Sequence, residues 1–519
     1  MDALFKSWDT KHTPGCALGV IRGGDLIYIR CYGMANLEHG IAITPDSVFD
    51  VGSTSKQFVA ACVAMLARRR KLSLEDEVQK HIPEMPRYSR PVRLRHLLNH
   101  TSGIRDYLTL MDLAGLRMEN EFPDEEIVEL IARQKALNFN PGSQFMYSNS
   151  GYLLLGEVIK RVSGKTLRRF AHDNIFAPLG MKNTHFHDDL TEIVKNRASG
   201  YAQDKDKPRI SISILDLVGD GGLNTTLNDL LAWDRNFYKN RAGGCGSGFM
   251  RELARPGHLD NGEELNYAAG LFVEKYRGLD VIHHGGAWFG YRAEMIRFPR
   301  QELTVICLAN SEGLSAIPLA RQVADIFLEK EFPSPVPPLP AADFSTGRRV
   351  LHIDGKTGFY ESASGDITRL YNDGGYQLEY AGRAIQMKRL TPRSLQACNG
   401  ELLLEFNRPK RYTISFRNGT KTEYAWLPPV KTQAAPLAGE YYCEELDVKY
   451  RIGTEGKKLI LKCRGKKAQE LLPVKPGLFQ TDISAKLLFA RPARGKARSF
   501  ILNTNRVKAL KFSRVPIKV

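Results

Sequence analysis

The sequence predicts an α+β domain, an antiparallel sheet with helices packed against it, followed by two small antiparallel β-barrel domains. Three observations lead to that reading. Apolar residues recur at helical spacing in 55–70, 125–136, 151–162 and 227–239, while strand-like runs open and close the first 330 residues. The stretch "FPSPVPPLPAADF" at 332–344 carries five prolines, which resist both helix and central strand and suit an extended connector. Beyond it the texture changes to short alternating runs such as "YQLEY", "ELLLEF" and "RYTISF", separated by Gly, Asn and Asp turns. The boundaries read as 1–332 for the first domain, 333–340 for the linker, 341–428 for the first barrel and 436–519 for the second.

In the first domain, "GCALGVIRGGDLIYIRCYG" reads as a hairpin turning at Gly23-Gly24. Strands return in "YAAGLFVEKY", "LDVIHHGG", "YRAEMIRFP" and "ELTVICLAN", before a helical stretch from about 315 to 331. Strands at both ends with helices between predict a sheet whose first and last strands are neighbours. In the last third, "GFYESASGDITRLYNDGGYQLEY" set over "GEYYCEELDVKYRIGTEGKKLIL" pairs Tyr360 with Tyr441, Asp366 with Asp447, Gly375 with Gly456 and Leu378 with Leu459 at a constant offset. One β unit has been used twice.

Composition bounds the function classes. A chain of 519 residues with 43% hydrophobic side chains can bury several cores. The longest apolar candidate, Phe58 to Ala67, stops at Arg68-Arg69-Arg70, well short of the roughly 18 residues of a membrane span. The opening "MDALFKSWDTKHTPG" has no apolar h-region, so a cytoplasmic location is expected. The 8 cysteines show neither Cys-x-x-Cys nor zinc spacing, which favours reduced, mostly buried thiols and no metal or cofactor. From Pro335 onward 33 Lys and Arg face 16 Asp and Glu, which accounts for the whole formal charge of +17. These charges alternate with apolar residues, as in "RVKALKFSRV", so they read as solvated strand faces, with no nucleic-acid partner expected.

Three short stretches carry chemistry. In "VFDVGSTSKQF" a helix starting near Ser53 would put Lys56 on the same face one turn later, beside the Ser53 hydroxyl. A serine needs a base before it becomes a nucleophile, and a desolvated lysine can be that base. In "PGSQFMYSNSGYLLLGEVI" a turn at Pro141-Gly142 precedes a helix starting near Ser150, with Tyr147 and Asn149 in the loop. That tyrosine could hand a proton to a leaving group, and the Asn149 amide could orient Lys56 or a substrate carbonyl. In "DVIHHGGAWFGY" a strand brings His284, with His283 alternating to the other face, to Gly285 and Gly286, where backbone and ligand can approach closely. The N–H of Ala287 is the natural partner of the Ser53 N–H in an oxyanion hole.

Together "STSK", "YSN" and "HHGG" resemble the serine β-lactamase and penicillin-binding protein superfamily, in its class C and D-alanyl-D-alanine carboxypeptidase branch. The stretches "LRHLLNHTSGIRDY", "NIFAPLGMKNTHF" and "GDGGLNTTLNDLLAW" look like that family's connecting segments, and the likeness covers residues 12 to 330. The resemblance implies a β-lactamase/transpeptidase-like fold for 1–332. It makes Ser53 the acylated nucleophile, Lys56 its base, Tyr147 the proton relay, Asn149 a substrate and lysine contact and His284 the first residue of the third motif.

That third motif departs from the family's Lys-Thr-Gly. His284-Gly285-Gly286 has no hydroxyl and a partly charged imidazole at neutral pH, so it is a poor clamp for a substrate carboxylate. A His-x-Gly motif followed by two β domains is similar to the D-stereospecific aminopeptidases, in which a loop of the last barrel narrows the site to small N-terminal D-residues. The resemblance thus implies a D-aminopeptidase-like serine hydrolase acting on small molecules or short peptides. Asp482, in "LLPVKPGLFQTDISAKLLF", is the candidate for receiving a substrate ammonium group. A small-substrate esterase, a weak β-lactamase and a non-turnover binder of penicillin or peptidoglycan fragments are the alternatives, and a homodimer is the expected assembly.

Overall fold

The computed structural model describes residues 1–519 except 205–206, 247, 334–354, 399–401, 417–419, 431–433, 482–484, 491–494 and 517–519. Its contacts divide the chain into two compact units, Met1–Met111 with Leu116–Pro333, and Asp112–Gly115 with Ser334–Val519.

The first unit is built on a six-stranded antiparallel sheet. Its strands are β1 (Cys16–Arg22), β2 (Asp25–Tyr32), β3 (Phe272–Tyr276), β4 (Leu279–Trp288), β5 (Tyr291–Phe298) and β6 (Leu303–Ala309), in the order β3-β4-β5-β6-β1-β2. The last strand lies beside the first, with Leu18 opposite Cys307 and Val20 opposite Val305. Every residue of β1 but Arg22 is buried because both of its faces are covered. On one face Leu18, Val20, Val305 and Cys307 form a core with Ala320, Val323 and Ala324 of the helix Ala316–Phe327. On the other, a Cβ on Gly19 would come within 2.7 Å of Leu227 Cδ1, so this glycine lets the helix Leu227–Tyr238 lie against the sheet.

Two helices carry the site. A 3-10 turn over Gly52–Ser55 leads into α1 (Lys56–Arg68), which is buried nearly all round, as a central helix should be. The Phe58 ring packs tilted against Trp233 with centroids 4.4 Å apart, and the Trp233 indole donates to Gln57 Oε1 at 2.7 Å. The second helix, α2 (Asn149–Ser163), ends on Gly164 in the left-handed conformation. The sequence reading of a strand throughout "YAAGLFVEKY" is too generous, since only Phe272–Tyr276 is strand. Gly270 breaks it with φ +74°, and a side chain there would meet the backbone of Lys56 and Gln57 at 2.6 Å. The helix predicted over 125–136 also stops early, at Ala132.

The second unit contains a closed eight-stranded barrel running from Gly358–Ser362 to Lys421–Trp426, sealed by the pairing of Tyr360 with Trp426. Its interior is filled by Tyr360, Leu378, Leu404, Phe406 and Tyr412 among others. The following nine-stranded antiparallel sheet curls in the same way without a ladder joining its ends. Those ends, Gln469–Glu470 and Leu472–Lys475, are consecutive in the chain, and Pro473 has no N–H to donate to a closing ladder. The internal repeat is visible in detail. Strands Gly358–Ser362 and Gly439–Cys443 occupy equivalent places, and in both a buried tyrosine ties its hydroxyl to the carbonyl four residues upstream: Tyr360 to Lys356 at 2.7 Å, Tyr441 to Leu437 at 2.8 Å. Basic residues sit on the exposed face, as in Val448–Glu455, where Lys449 and Arg451 alternate with buried Val448, Tyr450 and Ile452.

None of the 8 cysteines is in a disulfide; four are buried, three are half-buried and Cys398 is exposed, so the thiols are less fully buried than expected. Among the described residues no helix is long and apolar enough to cross a membrane. The linker residues 334–340 and Asp482 lie outside the described residues.

Candidate active site

Ser53 sits half-buried in the 3-10 turn, and Lys56, one turn on, is fully buried. Lys56 Nζ donates to Ser53 Oγ at 2.8 Å, to Asn149 Oδ1 at 3.0 Å and to the Asp220 carbonyl at 2.5 Å. An ammonium has three protons and no lone pair, so these three acceptors use it completely. The nitrogen also lies 5.1 Å from the Tyr147 ring centroid and 5.6 Å from that of Tyr152. One serine, one lysine, one asparagine and one tyrosine from two separate stretches therefore meet around a single nitrogen.

Backbone placement explains the glycines. Gly52 has φ +49°, a region that disfavours a side chain, and a Cβ there would stand 2.8 Å from the Ala287 nitrogen. A Cβ on Gly286 would stand 1.8 Å from the Val51 carbonyl and 3.1 Å from the Ser53 nitrogen. The end of β4 thus runs against the turn that carries Ser53, so the N–H groups of Ser53 and Ala287 belong to two backbones in contact. Thr54 adds a clasp, donating its hydroxyl to the His284 carbonyl at 3.0 Å.

His284 is not the partly charged, substrate-facing group expected from the sequence. It is 2% exposed, and burial, reinforced by the charge of Lys56, pushes its pKa down to about 3. Nδ1 donates to the Gly285 carbonyl at 2.7 Å, so Nε2 is the acceptor and takes a hydrogen bond from the Tyr267 hydroxyl at 3.1 Å. Both ring nitrogens are engaged within the protein. His283 alternates to the other face, between Glu294 at 2.9 Å and Glu274 at 3.2 Å. Burial alone would lower its pKa, but these two carboxylates outweigh it and raise it to about 9.

Several supporting residues carry no signal of their own in the sequence. Asp106 Oδ2 accepts the Asn149 N–H at 2.8 Å, holding the first residue of α2. His100 Nδ1 accepts the Ser148 N–H at 3.2 Å, and its ring packs tilted against that of Tyr147, with centroids 4.1 Å apart. The Tyr107 hydroxyl donates to Asp220 Oδ1 at 3.1 Å, and burial raises the Asp220 carboxyl to about 6. All four lie in "LRHLLNHTSGIRDY" and "GDGGLNTTLNDLLAW", so the available signal was family texture and not residue type.

A cleft of about 380 Å³ opens beside Ser53 and is bordered by Asn149, Asp220 and Ala287. Near it His185 Nε2, His187 Nδ1 and Glu192 Oε2 lie within 4.8 Å of one another. Arg197, which can only donate, faces His187 Nε2 at 3.3 Å, so the ring carries its proton on Nδ1, the atom a cation would need.

Comparison with known proteins shows the family and the fold. The family profile described as Beta-lactamase matches residues 1–327. Penicillin-binding protein 4* of Bacillus subtilis is 30% identical over 330 residues, which cover 60% of this chain and 71% of that protein. The D-aminopeptidase of Brucella canis is 29% identical over 301 residues, covering 58% of this chain and 57% of the relative, so the match spans little more than half of that protein's length. Among solved structures, the octameric penicillin-binding protein homologue from Pyrococcus abyssi superposes with a TM-score of 0.56 at 24% identity, over 79% of this chain and 96% of that one, and so shares the fold.

Proposed function

From the premise that the chain belongs to the beta-lactamase family, as a serine hydrolase, we propose that it cleaves amides or peptides of N-terminal D-residues through an ester on Ser53. The observation that carries this reading is the triple engagement of Lys56 by Ser53, Asn149 and Asp220. In its neutral form the amine keeps two N–H groups for Asn149 and Asp220 and turns its lone pair to the serine hydroxyl, so the same contacts that hold the ammonium also aim the base.

The steps follow. Ser53 Oγ attacks the substrate carbonyl carbon as its proton passes to Lys56 Nζ. The carbonyl oxygen becomes an oxyanion received by the N–H groups of Ser53 and Ala287. The carbon–nitrogen bond breaks, and Tyr147 relays the proton from Lys56 to the leaving amine. Water then attacks the ester by the same route in reverse and releases the acid. Asn149 has its oxygen on Lys56 and keeps its NH2 group for the substrate carbonyl. The D-aminopeptidase relatives support the amide of a D-residue as substrate. The buried, neutral His284 supports a site without a cation for a substrate carboxylate.

The test is a matched assay of D- and L-alanine p-nitroanilide, p-nitrophenyl acetate and a chromogenic cephalosporin, with Ser53→Ala as control. Turnover of the D-anilide above the L-anilide and the cephalosporin is expected. Wild-type rates in folded Ser53→Ala would overturn the mechanism, and cephalosporin as best substrate would overturn the substrate class.

A further inference from the structure

The cleft beside Ser53 has a wall that is chemically inverted. The run "RISISIL" at 209–215 alternates apolar and hydroxyl residues, and in a half-buried extended segment the apolar set should face the protein. Here the serines are the ones tied inward. Ser211 donates its N–H to the Gly200 carbonyl at 2.9 Å and its hydroxyl to Glu312 Oε1 at 2.7 Å, and the Ser213 hydroxyl donates to the Met118 carbonyl at 3.3 Å. A shift by one residue would bury the isoleucines and break all three bonds. With the register so held, Ile210, Ile212 and Ile214 remain 48%, 63% and 40% exposed.

All three border the cleft that also contains Ser53, Asn149 and Ala287, and Trp288 and Phe289 extend its apolar lining. Large apolar side chains left in water beside a reactive hydroxyl mark a surface that a ligand covers. Tyr147 and His284 do not border this cleft. Tyr147 is the group assigned to the leaving amine, so the cleft lies on the side of Ser53 that receives the acyl part.

We propose that Ile210, Ile212 and Ile214 form an acyl-group subsite, so that the preferred substrates carry an extended apolar group on the acyl side of the bond that Ser53 attacks. The proposal deepens the reading of Ser53 as the acylated nucleophile and rests on it. An alanyl group leaves this wall wet, whereas a long aliphatic or aromatic acyl group, or a D-residue with a large apolar side chain, removes it from water. Each methylene that reaches the wall gains up to about a fourfold preference when fully buried.

The experiment measures kcat/KM for p-nitrophenyl acetate, butyrate, hexanoate and octanoate with the full chain. A rise of at least about tenfold from acetate to hexanoate is expected, since four added methylenes are only partly enclosed by an open cleft. Ile212→Ser should lower the hexanoate-to-acetate ratio about fivefold or more. Ile193→Ser, at a site 90% exposed and outside the cleft lining, should leave that ratio unchanged. Acetate hydrolysis with a flat or falling chain-length series, or a ratio unmoved by Ile212→Ser, would overturn the acyl subsite alone. No nitrophenolate release from any ester by the folded protein would overturn the Ser53 reading and this one with it.

Discussion

Lys56 Nζ and Ser53 Oγ are 2.8 Å apart, and the same nitrogen is held from two other directions by Asn149 and Asp220. The base is fixed from behind while its third direction is spent on the nucleophile. Ser53→Ala should abolish covalent labelling by acylating inhibitors and leave the melting temperature nearly unchanged, because its side chain is half-buried and small. Lys56→Ala should reduce turnover by about three orders of magnitude or more. It should also cost about 1–3 kcal/mol of stability, since two buried acceptors lose their donor. Steady-state kinetics and thermal unfolding of the two variants separate these effects.

Gly52→Ala tests the contact between the nucleophile turn and β4. With φ at +49° and the Ala287 nitrogen 2.8 Å from the new Cβ, the turn must move. A shift of a few tenths of an ångström at oxyanion donors is expected to lower kcat by about a hundredfold. KM should change less, because the cleft walls remain; unchanged kcat would show that the two backbones are not coupled in catalysis.

His284→Lys looks in the sequence like restoration of the family's basic triplet. In the fold it would bury a second cation near Lys56 in a place where even an imidazole is held neutral. Lower activity on every substrate and a melting temperature lower by several degrees are expected, in place of a gain on cephalosporins. For the same reason, the wild-type pH–rate profile should contain no step from His284 between pH 5 and 8.

His283 makes stability pH-dependent. Its folded pKa is raised from 6.5 to about 9 by Glu294 and Glu274, so the folded state binds the proton more tightly than the unfolded chain. The stabilisation is fully present below about pH 6.5 and is lost as pH rises through 9. Its size is on the order of 3 kcal/mol from the shift alone. Urea unfolding at pH 6.5 and 9.5 should show this loss in the wild type and a much smaller one in His283→Gln. Equal pH dependence in both would place the titration elsewhere.

The repeated tyrosine in the second unit predicts unequal costs. Tyr360→Phe and Tyr441→Phe each leave one carbonyl unpaired, which should destabilise by about 1–2 kcal/mol. The Tyr441 hydroxyl also accepts from Arg514 Nη2 at 2.7 Å, so Tyr441→Phe removes a second, charge-assisted bond and should cost more. Denaturant unfolding of the full chain, followed by a probe in each β element, checks the order, and an equal or smaller cost for Tyr441→Phe would show that the Arg514 contact adds nothing.

What the sequence determined by itself was local and periodic. The hairpin at Gly23-Gly24, the strand that carries His284, the helix beginning after Ser53 and the double β unit were all legible, because turn residues and apolar spacing act over a few neighbours, although that strand runs past Gly286 to Trp288. So was the pairing of Ser53 with Lys56, which needs one helical turn and nothing more. The tertiary structure decided the rest. Whether His284 is charged depends on what buries it, and neither the 164-residue separation between Lys56 and the Asp220 carbonyl nor the support of Asn149 by Asp106 leaves a mark on local pattern. Residues 209–215 show the difference most clearly. Their alternation announces an extended segment, but only partners far away in the chain, Glu312 and Met118, tie the serines inward and leave the isoleucines at the cleft. Periodicity chooses between two faces of a strand, and the hydrogen bonds available to each face settle which one meets the protein.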